Sequence, residues 1–88
     1  MPSISEFYGI KIYMYWENNE KHNLPHFHAY YSEYEGTFRL NGDLIIGNIP
    51  RTAQKLIKKW AMLNLLKLNY NWNKISKLQA AEKIEGLK

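Results

Sequence analysis

From residue 8 to residue 16, apolar and polar residues partly alternate. Ile10, Ile12, Met14 and Trp16 fall on one side, and Lys11, Tyr13 and Tyr15 on the other. A period of two is that of a half-buried β-strand. The polar stretch 17–23 follows, and its length predicts a loose hairpin rather than a two-residue turn. Further strands are predicted over 26–32 and 34–40, with Gly36 in the second marking a bulge or a close approach of backbone. Asn41-Gly42-Asp43 is a turn signal, because Asn and Gly tolerate positive φ. A short strand over 44–46 ends at Gly47-Asn48.

The period then changes. Pro50 suits the first turn of a helix, where its missing N–H is no loss. At about 100° per residue, Ala53, Leu56, Ile57, Trp60 and Leu63 share one face, and Arg51, Lys55, Lys58 and Lys59 share the opposite one. Continued as one helix, the pattern would set Asn64 and Lys67 into the apolar face. A bend or stop near Asn64 is therefore predicted, with Asn64 or a neighbour capping a second helix. In that helix Leu65, Leu68, Trp72 and Ile75 form the apolar stripe, and Lys67, Tyr70, Lys74 and Lys77 lie away from it.

Strands first and helices after predict an α+β fold. The expected architecture is an antiparallel sheet of three to four strands, in ββββαα order, with two C-terminal helices on one face. One domain spans 1–88: sheet over 1–47, helices over 50–80, and 81–88 as a tail or short edge strand. The expected core is Ile10, Ile12, Met14, Phe27, Ala29, Phe38, Ile45, Leu56, Ile57, Trp60, Leu68 and Trp72. Burying each of the larger ones contributes about 1.5–3 kcal/mol before chain entropy is subtracted.

Composition narrows the chemistry. With 88 residues the chain buries about 60–65% of its unfolded surface, so its stability is expected to be modest unless a partner adds to it. The absence of cysteine excludes disulfides, thiolate metal sites and a cysteine nucleophile. No apolar run approaches the ~20 residues that span a bilayer, and the first residues lack the marks of a signal peptide. A soluble, cytoplasmic protein is expected. The net charge of +4 is unevenly spread: residues 1–50 carry −3 and residues 51–88 carry +7. That split fits either internal complementarity with solvated helix faces or an anionic partner for the second half.

The densest chemistry lies in Leu24-Pro25-His26-Phe27-His28-Ala29-Tyr30-Tyr31. On a strand, His26 and His28 point one way while Phe27 and Ala29 point the other. Three readings fit two imidazoles on one sheet face. As metal ligands they need a third donor, for which His22, Glu33, Glu35 and Asp43 are candidates; a catalytic zinc takes three protein ligands and a water. As an acid–base pair they could cleave RNA, with Arg39 or Arg51 steadying the phosphate charge. As structural residues they satisfy their nitrogens on backbone or neighbouring side chains, and Pro25 fixes how the strand enters the sheet. No cofactor is required by any motif.

Two further surfaces qualify as binding sites. Tyr13, Tyr15 and Tyr30 fall on the sheet face away from the apolar residues, and amphipathic rings are enriched at interfaces. Lys55 and Lys59, with Arg51 and Lys58, form a cationic helix stripe within reach of phosphates, although nothing resembles a known recognition helix.

Ser3-Ile4-Ser5, Phe7-Tyr8-Gly9-Ile10-Lys11-Ile12-Tyr13-Met14, Pro25-His26-Phe27-His28-Ala29, Tyr34-Glu35-Gly36-Thr37-Phe38, Ile49-Pro50-Arg51, Trp60 and Asn71-Trp72 together resemble the small bacterial proteins grouped as domain of unknown function 4160. The likeness covers nearly the whole chain. It departs where members commonly carry Pro-Pro-His, since Leu24-Pro25-His26 stands here, and in a somewhat long polar loop before the motif. The resemblance implies a compact stand-alone bacterial domain. It also implies a second small protein encoded nearby, in pairs that look like toxin–antitoxin modules. It carries no activity with it. The expectation is an interaction component of such a module, with a histidine-based ribonuclease or metal-dependent hydrolase, or a nucleic-acid-binding protein, as the alternatives.

Overall fold

The computed structural model describes residues 3–16 and 24–88. The expected loose hairpin over 17–23, and with it His22, lies outside the described residues. Five strands form one antiparallel meander, β1 (Ser5–Phe7), β2 (Ile10–Tyr13), β3 (His26–Tyr31), β4 (Tyr34–Arg39) and β5 (Leu44–Gly47), paired in chain order. Two helices follow, α1 (Arg51–Leu63) and α2 (Leu65–Ser76). The α+β class and strand-then-helix order are as expected, but the sheet has five strands rather than three to four.

The extra strand is β1. Phe7 pairs with Ile10, so Tyr8-Gly9 is a two-residue hairpin loop, with φ of 50° and 78°. A type I′ loop takes positive φ at both central residues. Glycine supplies one of them at no steric cost, and an exposed tyrosine supplies the other against its preference.

The helices cover one face of the sheet. Ile10, Ile12, Phe27, Ala29, Phe38, Ile57, Trp60 and Leu68 are fully buried there. Trp60 sits at the centre, stacked on Phe7 at 5.4 Å and edge-on to Phe27 at 5.6 Å. Its indole Nε1–H donates to the Glu85 carbonyl at 3.0 Å, which ties the C-terminal segment to the core.

Two expected core positions, Ile45 and Leu56, and one residue of the expected apolar helix face, Leu63, differ. Ile45 is exposed because the β4–β5 register slips: Thr37 faces Ile46 and Phe38 faces Leu44, which leaves Ile45 as the extra residue of a bulge. Leu44 packs on the core in its place. Leu63 ends α1 and is exposed, while Ala61 is buried. Leu56 is only half buried against the cluster.

Helix ends also differ from the pattern. Asn64 lies between the helices, but its side-chain amide donates back to the Trp60 carbonyl at 2.8 Å, so it closes α1 and makes no side-chain cap for α2. α2 stops at Ser76 rather than running to 80. Gln79 N donates to Lys74 O and Leu78 N to Ile75 O, each at 2.9 Å, with Leu78 at φ 61°. That is a Schellman closure with leucine where glycine usually stands, so no glycine marks the stop.

The segment after α2 docks rather than trailing away. Asn71, 1% exposed in the middle of α2, donates from Nδ2 to Glu82 O at 2.8 Å and accepts from Glu82 N at 2.9 Å. Ile84 N donates to Ile4 O at 2.7 Å, so this segment lies beside the start of the sheet on the β1 side.

Candidate functional site

The uncovered face of the sheet carries the histidine motif. Register aligns Tyr13, His28, Thr37 and Ile46 across β2 to β5 in one row. A neighbouring row holds Lys11, Tyr30 and Glu35, and His26 faces Arg39. Alternation along β3 places Phe27 and Ala29 in the core and the two imidazoles on this side, as expected.

Each imidazole is engaged. His28 stacks on Tyr15 with centroids 4.5 Å apart and planes within 3°. Its Nδ1 lies 3.3 Å from Thr37 Oγ1, in a hydrogen bond whose direction follows the tautomer. His26 Nδ1 is 2.6 Å from the Leu24 carbonyl, which can only accept, so this nitrogen carries the proton. Pro25 holds Leu24 extended and so aims that carbonyl. His26 is 9% exposed, and its ring touches His28 at 5.1 Å, edge to face, and Trp72 of α2 at 5.2 Å. Trp72 in turn meets Trp16 at 5.4 Å. Five rings, Tyr15, His28, His26, Trp72 and Trp16, thus run in contact from the open sheet face to α2.

The candidate metal ligands do not converge. Among the described residues no group of three or more His, Cys, Asp and Glu side chains could hold a metal ion. Glu33 is exposed in the β3–β4 turn, and Glu35 lies in the row with Tyr30 rather than with the histidines. Asp43 Oδ1 instead accepts from Lys58 Nζ at 2.7 Å, on the helix side.

The candidate cations separate as well. Arg39 is exposed and faces His26 across the strand pair. Arg51 lines a cleft of about 380 Å³ together with Lys55, Lys58 and Lys59 of α1, Asp43 of the β4–β5 turn and Leu44 of β5. The Lys58 hydrogen bond is the main cause holding the Asp43 carboxyl below its ordinary range. Near the C-terminus, the hydrogen bond from Lys74 Nζ to Glu82 Oε2 at 2.8 Å lowers the Glu82 carboxyl and raises the Lys74 ammonium in the same way.

The tyrosines do share one surface. Tyr13 and Tyr30 meet edge to face at 5.4 Å, and Tyr15 lies over His28. All three are half exposed. A cleft of about 360 Å³ runs beside them, lined by Tyr15, His28, Tyr30, Glu35, Thr37 and Ile46. Amphipathic rings beside such a cleft suit contact with another protein. A second, more apolar groove of about 510 Å³ lies between Ile4, Met14 and Trp16 on one side and Ile75, Leu78 and Ala81 on the other. Sequence reasoning missed it because one wall is the docked C-terminal segment. The only sequence signal for that docking is Asn71, a polar residue on the same stripe as Leu68 and Ile75.

No curated protein and no solved structure matches the chain. Among the described residues no helix is long and apolar enough to cross a membrane. The model of the family "Domain of unknown function (DUF4160)" matches residues 9–73, a span that holds the turn into β2, both histidines, the cationic stripe of α1 and most of α2, and the chain belongs to that family.

Proposed function

We propose that this protein is the partner-binding component of a two-protein, toxin–antitoxin-like module in bacteria, and that it grips its partner with the open sheet face. One observation carries the reading: both imidazoles are built into the fold while the tyrosines around them stay half exposed. His26 is packed against Trp72 and donates to Leu24, and His28 carries the Tyr15 ring. A general acid–base pair needs nitrogens turned toward a substrate. These rings instead hold Tyr15 in place and join the sheet to α2. Tyr13, Tyr15 and Tyr30 then present amphipathic rings at low entropic cost, the residue type enriched at binding hot spots.

Co-expression with the product of the neighbouring gene tests this reading. The native chain is expected to co-purify with that product. A Tyr13→Ala/Tyr30→Ala protein, melting within a few degrees of native, is expected to bind more than about tenfold more weakly, as loss of two aromatic anchors implies. A complex of undiminished affinity sinks the proposal.

Arg39 supports a second reading. Its guanidinium is exposed on the strand next to His26, where it could steady the charge of a phosphate-bearing substrate. RNA cleavage by the purified chain, abolished in Arg39→Ala with the fold intact, would favour a ribonuclease over a binding module.

A further inference from the structure

The two edges of the sheet are treated differently. On the β1 side, Ile84 of the C-terminal segment bonds to Ile4 just before the strand. On the other side β5 has β4 as its one neighbour, and among the described residues nothing pairs with its outer edge. Half the backbone groups of an antiparallel edge strand point outward, ready to template another strand. Natural edges are usually blunted with lysine or proline. From Leu44 to Ile49 there is no charged residue and no proline, and Ile46 is 69% exposed. The bulge at Ile45 interrupts the regular ladder there.

The cationic side of α1 runs beside this edge. Arg51, Lys55 and Lys59 line one cleft with Leu44 of β5. Lys58 is matched by Asp43, whereas among the described residues no carboxylate lies within ion-pair distance of Arg51, Lys55 or Lys59. An added strand would send alternate side chains to the two faces of the sheet. One set would meet these cations on the helix side, and the other would flank Ile46 on the open face.

We infer that the β5 edge and the cationic face of α1 form a receptor for an extended segment of a partner protein, acidic on one face and apolar on the other, which adds as a sixth strand. This rests on the reading of the chain as a binding module and names the chemistry of its partner. Charge complementarity selects an acidic segment. The exposed isoleucine edge favours a peptide over a nucleic acid, because a phosphodiester backbone offers no strand to pair and no apolar side chains.

The probe is a labelled, end-capped octapeptide of alternating Val and Asp, titrated with the full chain and followed by fluorescence anisotropy. It is expected to bind. The same peptide N-methylated at alternate residues keeps its charges but cannot pair with an edge, and is expected to bind at least about tenfold more weakly. Lys55→Glu/Lys59→Glu, both exposed positions, is expected to weaken the unmethylated peptide by about tenfold, and a Val-Lys peptide should not bind. Equal binding of the N-methylated peptide, indifference to the charge reversal, or preference for a single-stranded RNA 12-mer over the peptide overturns the inference. Dimerisation of the chain through β5, detected by sedimentation and abolished by Ile46→Lys, would assign the edge to a second copy and overturn it as well. A protein that still requires Tyr13 and Tyr30 to hold its partner, but ignores the peptide, refutes this inference and leaves the binding-module reading standing.

Discussion

If His26 is a structural residue, truncating it should cost stability in proportion to what it touches. His26→Ala removes the 2.6 Å hydrogen bond to Leu24 O and the ring contacts with His28 and Trp72. The hydrogen bond contributes about 0.5–1.5 kcal/mol net. The two ring contacts and the cavity left beside Trp72 add about 1.5–3 kcal/mol. The total, about 2–4.5 kcal/mol, lowers Tm by about 8–36 °C in a chain of this size. Two conservative variants divide the loss. His26→Asn places an amide N–H where Nδ1–H stands, retaining the hydrogen bond without the ring. His26→Phe retains the ring without the donor. Each should fall between Ala and native in a thermal melt followed by circular dichroism. An alanine variant melting within about 2 °C of native would refute the argument, since buried contacts of this kind do not vanish without cost. Loss of function in a His26 variant therefore says nothing about catalysis until its fold has been measured.

Other consequences can be checked in the same way. Asn71→Ala strips both partners from Glu82 and should destabilise by about 2–4 kcal/mol, with amide exchange accelerated first at Glu82 and Ile84; unchanged protection there would show that the C-terminal segment docks without Asn71. Leu78→Gly relieves a leucine at φ 61° whose side chain is exposed, and should raise the urea-unfolding free energy by about 0.5–1 kcal/mol. Gly47→Ala should lower it by more than about 2 kcal/mol, because at φ +126° its Cβ would lie 2.4 Å from Gly36 Cα and 2.6 Å from Glu35 O. The Asp43 and Glu82 carboxyls are held below their ordinary range in the folded state, so their contribution is complete above the unfolded carboxylate pKa and is lost as pH falls through the folded values. Stability of Lys58→Met or Lys74→Met proteins should therefore converge with native in acid and separate only above the carboxylate range; a gap that widens on acidification reverses the sign and refutes this.

Periodicity alone determined the central part of the molecule. β4 alternates along its six residues and β3 does so from Phe27 to Tyr30, so their existence and the shared direction of His26 and His28 follow from a repeat of two, although His26 is buried as well as Phe27. The apolar stripes of α1 and α2 and the break at Asn64 follow from a repeat of 3.6, because burial of one helix face is local in sequence. β1 was not legible. It is three residues long, and its hairpin uses Tyr8 at positive φ, which residue preference argues against. Nor was the exposure of Ile45, since a bulge breaks the alternation that the pattern assumes.

What only tertiary structure decided is what lies across from what. Asn71 reads as a polar interruption of a helix stripe, and becomes a core residue only when the backbone of Glu82 folds back to meet both ends of its amide. The histidines read equally well as ligands, catalysts or scaffold until Leu24, Tyr15 and Trp72 are brought against them. The cationic stripe of α1 lies next to the exposed edge of β5 because the chain turns at Pro50 and lays the helix over the sheet. Sequence patterns report the environment a residue needs; contacts between distant segments arise only when those needs are met together in one packed arrangement.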